Sequence, residues 1–119
     1  MDDIIKEMEK YAEEKGIPIM QKRGMNFLCK FIEKNNIKSI LEIGTSAINM
    51  ALVNDDITVV SIERDQDRYI EAIKNIKKCK LEKRITLVLG DALNIDLTGK
   101  YDMLFIDAAK AQYIKFFEK

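Results

Sequence analysis

The chain has 119 residues, of which 47% are hydrophobic and 34% charged, proportions that favour one globular domain. Twenty Lys and Arg residues balance twenty Asp and Glu residues, so the net charge of zero gives no argument for nucleic acid or an anionic membrane as a partner. The sequence contains no histidine, which excludes histidine-based catalysis and histidine metal ligands.

Cysteine usage and the absence of targeting signals indicate a cytoplasmic protein. Cys29 and Cys79 occupy apolar positions of helix-like segments, which favours reduced core thiols. No apolar run approaches the length of about 18 residues that a membrane span needs. The acidic start, Met1-Asp2-Asp3, has no apolar run behind it and does not resemble a signal peptide.

The first 36 residues are predicted to form a helical cap. Apolar residues at helical spacing indicate one helix over residues 2–15 and another over about 22–34. Gly16 and Pro18 end the first helix, and Asn35-Asn36 marks a turn after the second.

From residue 37 onward, strands alternate with helices. Strands are predicted over residues 38–43, 57–62, 85–89 and 101–106, helices over 47–53, 65–80 and 108–119, and a short helix or loop over 92–97. The inward-facing residues of the last two helices are predicted to be Ile70, Ile73, Ile76, Tyr113, Ile114 and Phe117. This order is typical of an α/β Rossmann-like fold with a parallel sheet. The fourth strand is apolar on both faces, so it needs a neighbour on each side.

Each predicted strand carries an acidic residue at or near its carboxyl end, at Glu42, Glu63, Asp91 and Asp107. In a parallel sheet these ends share one edge, although an aspartate there could equally cap the next helix. Glu63 follows Gly44 by about 20 residues, a spacing that suits an acid binding both hydroxyls of a cofactor ribose. Both NAD and S-adenosylmethionine would fit, but the G-x-G-x-x-G pattern of a dinucleotide site is absent.

Asp107 and Lys110 form the segment with the most reactive chemistry. A carboxylate at a strand end can bind Mg²⁺, and a lysine one helical turn later could act as a base if its pKa is lowered. A surface lysine without such a role is an equally good interpretation of these two residues alone.

Four motifs together resemble the metal-dependent class I O-methyltransferases, the bacterial branch of the caffeoyl-CoA and catechol O-methyltransferase family. They are residues 40–45 (ILEIGT), 61–65 (SIERD), 89–92 (LGDA) and 105–113 (FIDAAKAQY), and the likeness extends to Ile19, Met20 and Gly24. The resemblance implies one domain over residues 1–119, with a cap over 1–36 and a cofactor-binding α/β core over 37–119.

The resemblance also implies roles for individual residues. S-adenosylmethionine would be bound by Glu42, Gly44, Thr45, Ser46, Glu63, Arg64, Asp91, Ala92 and Asp107. Asp107 would also be the ligand of a divalent metal, expected to be Mg²⁺, and Lys110 the general base. Met20, Lys22 and Arg23 would lie near the substrate. Family members often form homodimers, so a homodimer is expected.

Two departures from the family keep a second interpretation open. The turn after Thr45 is about four residues shorter than the glycine-rich turn of relatives. The family's other metal ligands, an Asp-Asn pair, follow a fifth strand that lies beyond the core seen here. The alternative is therefore a loop-deleted or truncated methyltransferase that binds S-adenosylmethionine without activity.

The substrate is expected to be a catechol-like small molecule or 5-hydroxyuridine in transfer RNA, since some bacterial relatives resemble enzymes acting on the latter. A basic run over residues 74–84 could contact RNA, or could be a solvated helix face with cations near the helix C-terminus.

Overall fold

The computed structural model describes residues 22–43, 46–90, 101–108 and 111–116, together with positions 6 and 10, which are helical. The described helices are α1 (Lys22–Lys34), α2 (Ala47–Ala51) and α3 (Gln66–Lys78). The strands are β1 (Ser39–Ile43), β2 (Thr58–Glu63), β3 (Ile85–Leu89), β4 (Met103–Ala108) and β5 (Ala111–Phe116). None of the described helices is long and apolar enough to cross a bilayer.

In the described part of the chain these strands form one sheet in the order β3-β2-β1-β4-β5. β1 pairs in parallel with both β2 and β4, and β2 pairs in parallel with β3. The four parallel strands confirm the predicted Rossmann-like α/β core. Their burial follows from their apolar runs, since a parallel sheet flanked by helices excludes water from its strands.

The end of the chain differs from the prediction. Residues 108–119 were predicted to be helical, but Ala111–Phe116 form β5, which pairs antiparallel with β4. The apolar strand β4 would otherwise be a sheet edge with unpaired backbone groups, and β5 supplies the neighbour that its composition requires. Phe117 lies outside the described residues.

Helices α1 and α3 end in the same way, with a left-handed residue followed by a buried apolar one. Asn36 has φ 53° and Lys80 has φ 58°. After α1 the amide of Ile37 donates to the Ile32 carbonyl at 3.1 Å. After α3 the amide of Leu81 donates to the Ile76 carbonyl at 3.0 Å. These bonds satisfy carbonyls at the helix ends and bury both following residues against the core.

The core lies between the helices and one face of the sheet. Its buried members include Leu28, Ile32, Ile37, Ile40, Ile48, Met50, Val59, Ile76, Ile85, Met103 and Phe105. Of the residues predicted to face inward from α3, Ile76 is buried, but Ile70 and Ile73 are 46% and 41% exposed. That part of the prediction was wrong because α3 is rotated so that Asn75, Ile76 and the following Cys79 face the core.

Both cysteines are free thiols, as the sequence predicts. Cys79 is buried, and Cys29 is half-buried with its Sγ 4.0 Å from the Asn49 carbonyl oxygen. Burial raises the pKa of both thiols, because a thiolate loses its hydration in an apolar environment. Neither thiol therefore has the environment of an activated nucleophile.

Candidate functional site

The candidate site lies where β1, β2 and β3 end side by side. In the strand register Ile43 of β1 faces Ile62 of β2, and Glu63 of β2 faces Leu89 of β3. Ligands of open parallel sheets bind outside the carboxyl ends of the strands. The chemistry available at this edge therefore depends on the side chains in the last positions of each strand and in the turns that follow.

Glu42 is a fully buried carboxylate at the end of β1. It occupies the same face of the sheet as Ile40, which belongs to the core. Its Oε1 accepts a hydrogen bond from the Ser61 hydroxyl at 2.9 Å, and its Oε2 accepts one from the Ser46 amide at 3.0 Å. The carboxylate therefore connects β1 with both the neighbouring strand and the start of α2.

Ser46 is placed at the start of α2, as the sequence predicts, but it does not act as a side-chain cap. Its hydroxyl makes no capping hydrogen bond, and the residue is 1% exposed. The Ser46 backbone amide, held by Glu42, is the group that fixes the start of this helix. Gly44 and Thr45, which the resemblance assigns to the cofactor, lie outside the described residues.

Glu63 at the end of β2 is half-buried. Its Oε1 accepts a hydrogen bond from the Asp65 amide at 2.9 Å, which shapes the turn into α3. Asp65 in turn caps α3, because its Oδ1 accepts from the Arg68 amide at 3.0 Å, as the sequence predicts. Within the described residues no hydrogen bond reaches Oε2 of Glu63, so this oxygen can accept one from a ligand.

An open space lies beside Glu63 at the end of β3. The Gly90 amide donates to the Glu63 carbonyl at 2.9 Å, which holds the two strand ends together. Among the described residues, none lies within 4 Å of a Cβ atom added to Gly90. The neighbouring Leu89 is 46% exposed. The edge of the sheet therefore combines a carboxylate oxygen, an apolar side chain and room for a ligand group next to the backbone.

Several predicted site residues cannot be placed as side chains. Met20, Asp91, Ala92 and Lys110 lie outside the described residues. Lys22 and Arg23 begin α1, and Asp107 lies in β4 in register with Gln112 of β5, but only their backbone is described. Arg64 is exposed in the turn after Glu63. From the predicted set, the structure joins Glu42 and Ser46 by a hydrogen bond and places Glu63 at the end of the neighbouring strand.

A metal centre was predicted at Asp107. Among the described residues no group of three or more aspartate, glutamate or cysteine side chains is close enough to hold a metal ion. The described part of the chain therefore does not by itself provide the oxygen ligands that Mg²⁺ prefers.

The basic run over residues 74–84 covers the end of α3 and the turn after it, and it contains both exposed and inward-facing side chains. Its five lysines are all exposed, namely Lys74, Lys77, Lys78, Lys80 and Lys83. Arg84 instead points inward, and its Nη1 donates to the carbonyls of Ala51, Asn54 and Ile57 at 2.9, 2.8 and 3.2 Å. Arg84 therefore holds the end of α2 against the start of β2.

Replacing Arg84 with alanine is expected to lower the free energy of unfolding by about 2 kcal/mol, because three partly buried carbonyls lose a charged donor. The neighbouring exposed Lys83→Ala is the matched control, with an expected change below about 0.5 kcal/mol. Urea denaturation measures both values. Equal effects at the two positions would show that the inward hydrogen bonds of Arg84 contribute nothing to stability.

Comparison with known proteins agrees with this topology. A family model described as O-methyltransferase matches residues 1–119. The chain belongs to this O-methyltransferase family. A tapetum-specific methyltransferase of Arabidopsis thaliana is 32% identical over 114 residues, covering 89% of this chain and 49% of the relative. A catechol O-methyltransferase of Niastella koreensis is 29% identical and covers 98% of this chain and 59% of its own length.

Solved structures of this family share the fold. A candidate caffeoyl-CoA O-methyltransferase from Staphylococcus aureus has a TM-score of 0.80 at 36% identity, covering 90% of this chain and 55% of that protein. An O-methyltransferase from Bacillus cereus, solved with S-adenosylhomocysteine, has a TM-score of 0.75 at 24% identity, covering 91% and 55%. The chain thus spans about half the length of the relatives that it matches.

Sequence reasoning missed one residue that contacts Glu42, namely Ser61. The residue stands in the otherwise apolar run of β2 and is 1% exposed. A lone hydroxyl in a buried strand needs a hydrogen-bond partner. Ser61 stands opposite Glu42 in the strand register, so Glu42 could have been suggested as that partner once the pairing of β1 with β2 was known.

Proposed function

We propose that the protein transfers the methyl group of S-adenosylmethionine to a hydroxyl oxygen of a small aromatic substrate. The observation that carries the proposal is Glu63, which ends β2 with an Oε2 that no hydrogen bond reaches among the described residues. The Bacillus cereus O-methyltransferase, which shares this fold, was solved with S-adenosylhomocysteine.

The described residues fit the nucleoside part of this cofactor. Oε2 of Glu63 can accept a hydrogen bond from a ribose hydroxyl, while Oε1 keeps the turn into α3 in place. Leu89 and the open face of Gly90 can pack against a planar base. When bound, S-adenosylmethionine supplies a methyl group on a positively charged sulfur. Holding the substrate oxygen in line with that group accounts for much of the rate in such reactions.

The proton of the substrate hydroxyl must leave as the methyl ether forms. In this proposal Lys110 accepts it, the role that the resemblance implies. Assistance by a divalent ion at Asp107 belongs to the same proposal, and only the backbone of that residue is described. The transferred methyl, the lost proton and the released S-adenosylhomocysteine balance the reaction without an oxidant or reductant.

A catechol-like substrate is favoured over transfer RNA. The relatives carry the names catechol and caffeoyl-CoA O-methyltransferase. The arginine of the basic run is committed to internal carbonyls, which removes one of the side chains that an RNA surface would use. A cytoplasmic homodimer is the expected state of the protein and is part of the proposal.

Isothermal titration of the protein with S-adenosylhomocysteine tests the cofactor assignment. We expect saturable binding at one site per chain, and no heat with NAD, whose pyrophosphate needs a glycine pattern that this chain lacks. The variant Gly90→Val fills the space next to Gly90. It should weaken binding of S-adenosylhomocysteine without lowering the melting temperature of the protein. Absence of both heat and a thermal shift with S-adenosylhomocysteine would refute the proposed function.

A further inference from the structure

Helix α3 carries two large apolar side chains on the side that points away from the core. Ile70 and Ile73 are exposed there, whereas Asn75 and Ile76 on the other side of the helix are buried. Four large apolar residues are exposed in the described part of the chain, and two of them are these neighbours. Apolar side chains scattered singly over a surface are ordinary, whereas a contiguous pair is a candidate contact.

The exposed residues of α3 follow the spacing of a coiled-coil seam. Gln66, Ile70, Ile73 and Lys77 are separated by four, three and four positions, and all four side chains are exposed. This alternation keeps side chains on one stripe that can face a second helix. We call these four residues the α3 stripe. Its centre is apolar and its two ends are polar, so it suits one short helix as its partner.

Two charges beside the α3 stripe select the direction of that partner helix. Asp67 lies in the first turn of α3, and Lys74 lies two turns later along the same side of the stripe. Both are exposed, and no ion pair or side-chain hydrogen bond joins either of them to another described residue. A parallel copy of α3 would bring like charges together. An antiparallel copy instead brings each Asp67 towards a Lys74, and such flanking pairs set helix orientation in coiled coils.

We propose that the α3 stripe is the contact surface for a second copy of this chain, whose own α3 lies antiparallel to the first. A two-fold axis between Ile70 and Ile73 packs Ile70 of each copy against Ile73 of the other copy. The same axis brings Asp67 of each copy to Lys74 of the other copy. The inference assigns the contact surface of the homodimer that belongs to the proposed function, and on that point it rests on the proposed function.

The length of α3 sets the strength expected of this contact. The helix has 13 residues and is therefore about 20 Å long. Two such helices form a contact of the small class, below about 1,200 Å² of buried surface, in which complexes are weak and reversible. We therefore expect half of the protein to be dimeric at a concentration of the order of 100 μM.

Exchanging the two charges tests the antiparallel pairing. Asp67→Lys alone or Lys74→Asp alone brings like charges together and should weaken dimerisation about threefold to tenfold at low salt. The double variant restores opposite charges across the axis, so its dissociation constant should return to within about twofold of the wild type. Sedimentation velocity from about 10 μM to about 1 mM measures each dissociation constant. Circular dichroism checks that all variants keep the same helix content.

Replacing Ile70 with glutamine tests the apolar centre of the stripe. The substitution changes two contacts in a symmetric dimer, so association should weaken by about tenfold or more. Phe27→Ala is the matched control, because it removes an exposed apolar side chain from α1 instead. Its dissociation constant should equal that of the wild type.

The contrary results are distinct. A double charge variant that associates no better than the single variants would overturn the antiparallel pairing. A protein that stays monomeric at about 1 mM, or a dimer weakened by Phe27→Ala and not by Ile70→Gln, would overturn the contact at α3. Dimerisation is measured without cofactor, so these outcomes leave the binding of S-adenosylhomocysteine untouched. Absence of that binding in a protein that dimerises through α3 would instead refute the proposed cofactor and leave the contact in place.

Discussion

Replacing Glu63 with alanine is expected to weaken binding of S-adenosylhomocysteine by about tenfold or more, since a hydrogen bond to a charged acceptor is among the stronger polar contacts. Oε2 of Glu63 is the carboxylate oxygen that the described residues leave available at the end of β2. The substitution also removes the acceptor for the Asp65 amide, so the turn into α3 loses a second contact. Isothermal titration gives the affinity, and thermal unfolding without ligand gives the contribution of the turn.

Two controls separate these effects. Asp67→Ala removes an exposed carboxylate from the first turn of α3 and should leave affinity within about twofold, because solvent screens distant surface charge. Glu63→Gln keeps an oxygen for the Asp65 amide but has one acceptor oxygen for two donors, so its affinity should fall between those of the wild type and Glu63→Ala. Unchanged affinity in Glu63→Ala would show that the ribose does not bind there.

The parallel strands could be predicted because their signals are local. The strands β1, β2 and β3 are short apolar runs rich in Ile, Val and Leu, bounded by turns, and their observed limits differ from the predicted ones by one residue at most. Asp65 likewise marks the start of α3 because an aspartate is a favourable N-cap in any context.

The end of the chain could not be predicted from its own pattern. The spacing of Tyr113, Ile114 and Phe117 fits one face of a helix, yet tyrosine, isoleucine and phenylalanine also favour strands. Such ambiguity is decided by tertiary contacts. Here β4 presents an unpaired edge, and the segment Ala111–Phe116 pairs with it. The sequence of residues 111–116 alone contains no information about the unpaired edge of β4.

The orientation of α3 was ambiguous for a similar reason. Its apolar residues Ile70, Ile73 and Ile76 drift around the helix at a spacing of three, so they do not define a single narrow face. The core selected the side that carries Ile76 and Asn75. A polar Asn75 at a buried position runs against the sequence pattern, and for that reason the rotation was not foreseen.

The roles in the site were only partly accessible. The motif around residues 40–46 indicated the edge of the sheet and a cofactor, but the direction of the Glu42 carboxylate depends on the register of β1 with β2. Two oxygens directed at Ser46 and Ser61 are a property of the assembled sheet rather than of the motif. The sequence therefore indicated this edge of the sheet, but not the hydrogen bonds that each side chain makes there.

Replacing Phe105 with alanine is expected to lower the free energy of unfolding by about 3 to 5 kcal/mol, the usual cost of emptying a buried aromatic position. Phe105 is fully buried in β4, between β1 and β5 in the sheet. In the register it stands opposite Glu42, so the cavity would open beside that buried carboxylate. Urea denaturation followed by far-ultraviolet circular dichroism measures this loss. The midpoint urea concentration should fall, while the slope of the free energy of unfolding against urea concentration stays unchanged.

Phe27→Ala gives the matched control, because it is the same chemical change at a residue that is 64% exposed. Phe27 stacks on Phe31 with ring centroids 6.3 Å apart, so its removal should cost up to about 1 kcal/mol. Domains of this size are stable by only about 5 to 15 kcal/mol, so the Phe105 variant should lose a large fraction of its stability while the Phe27 variant stays folded. Equal losses at the two positions would mean that β4 is not an internal strand of the sheet, and the placement of Glu42 beside Phe105 would then be wrong as well.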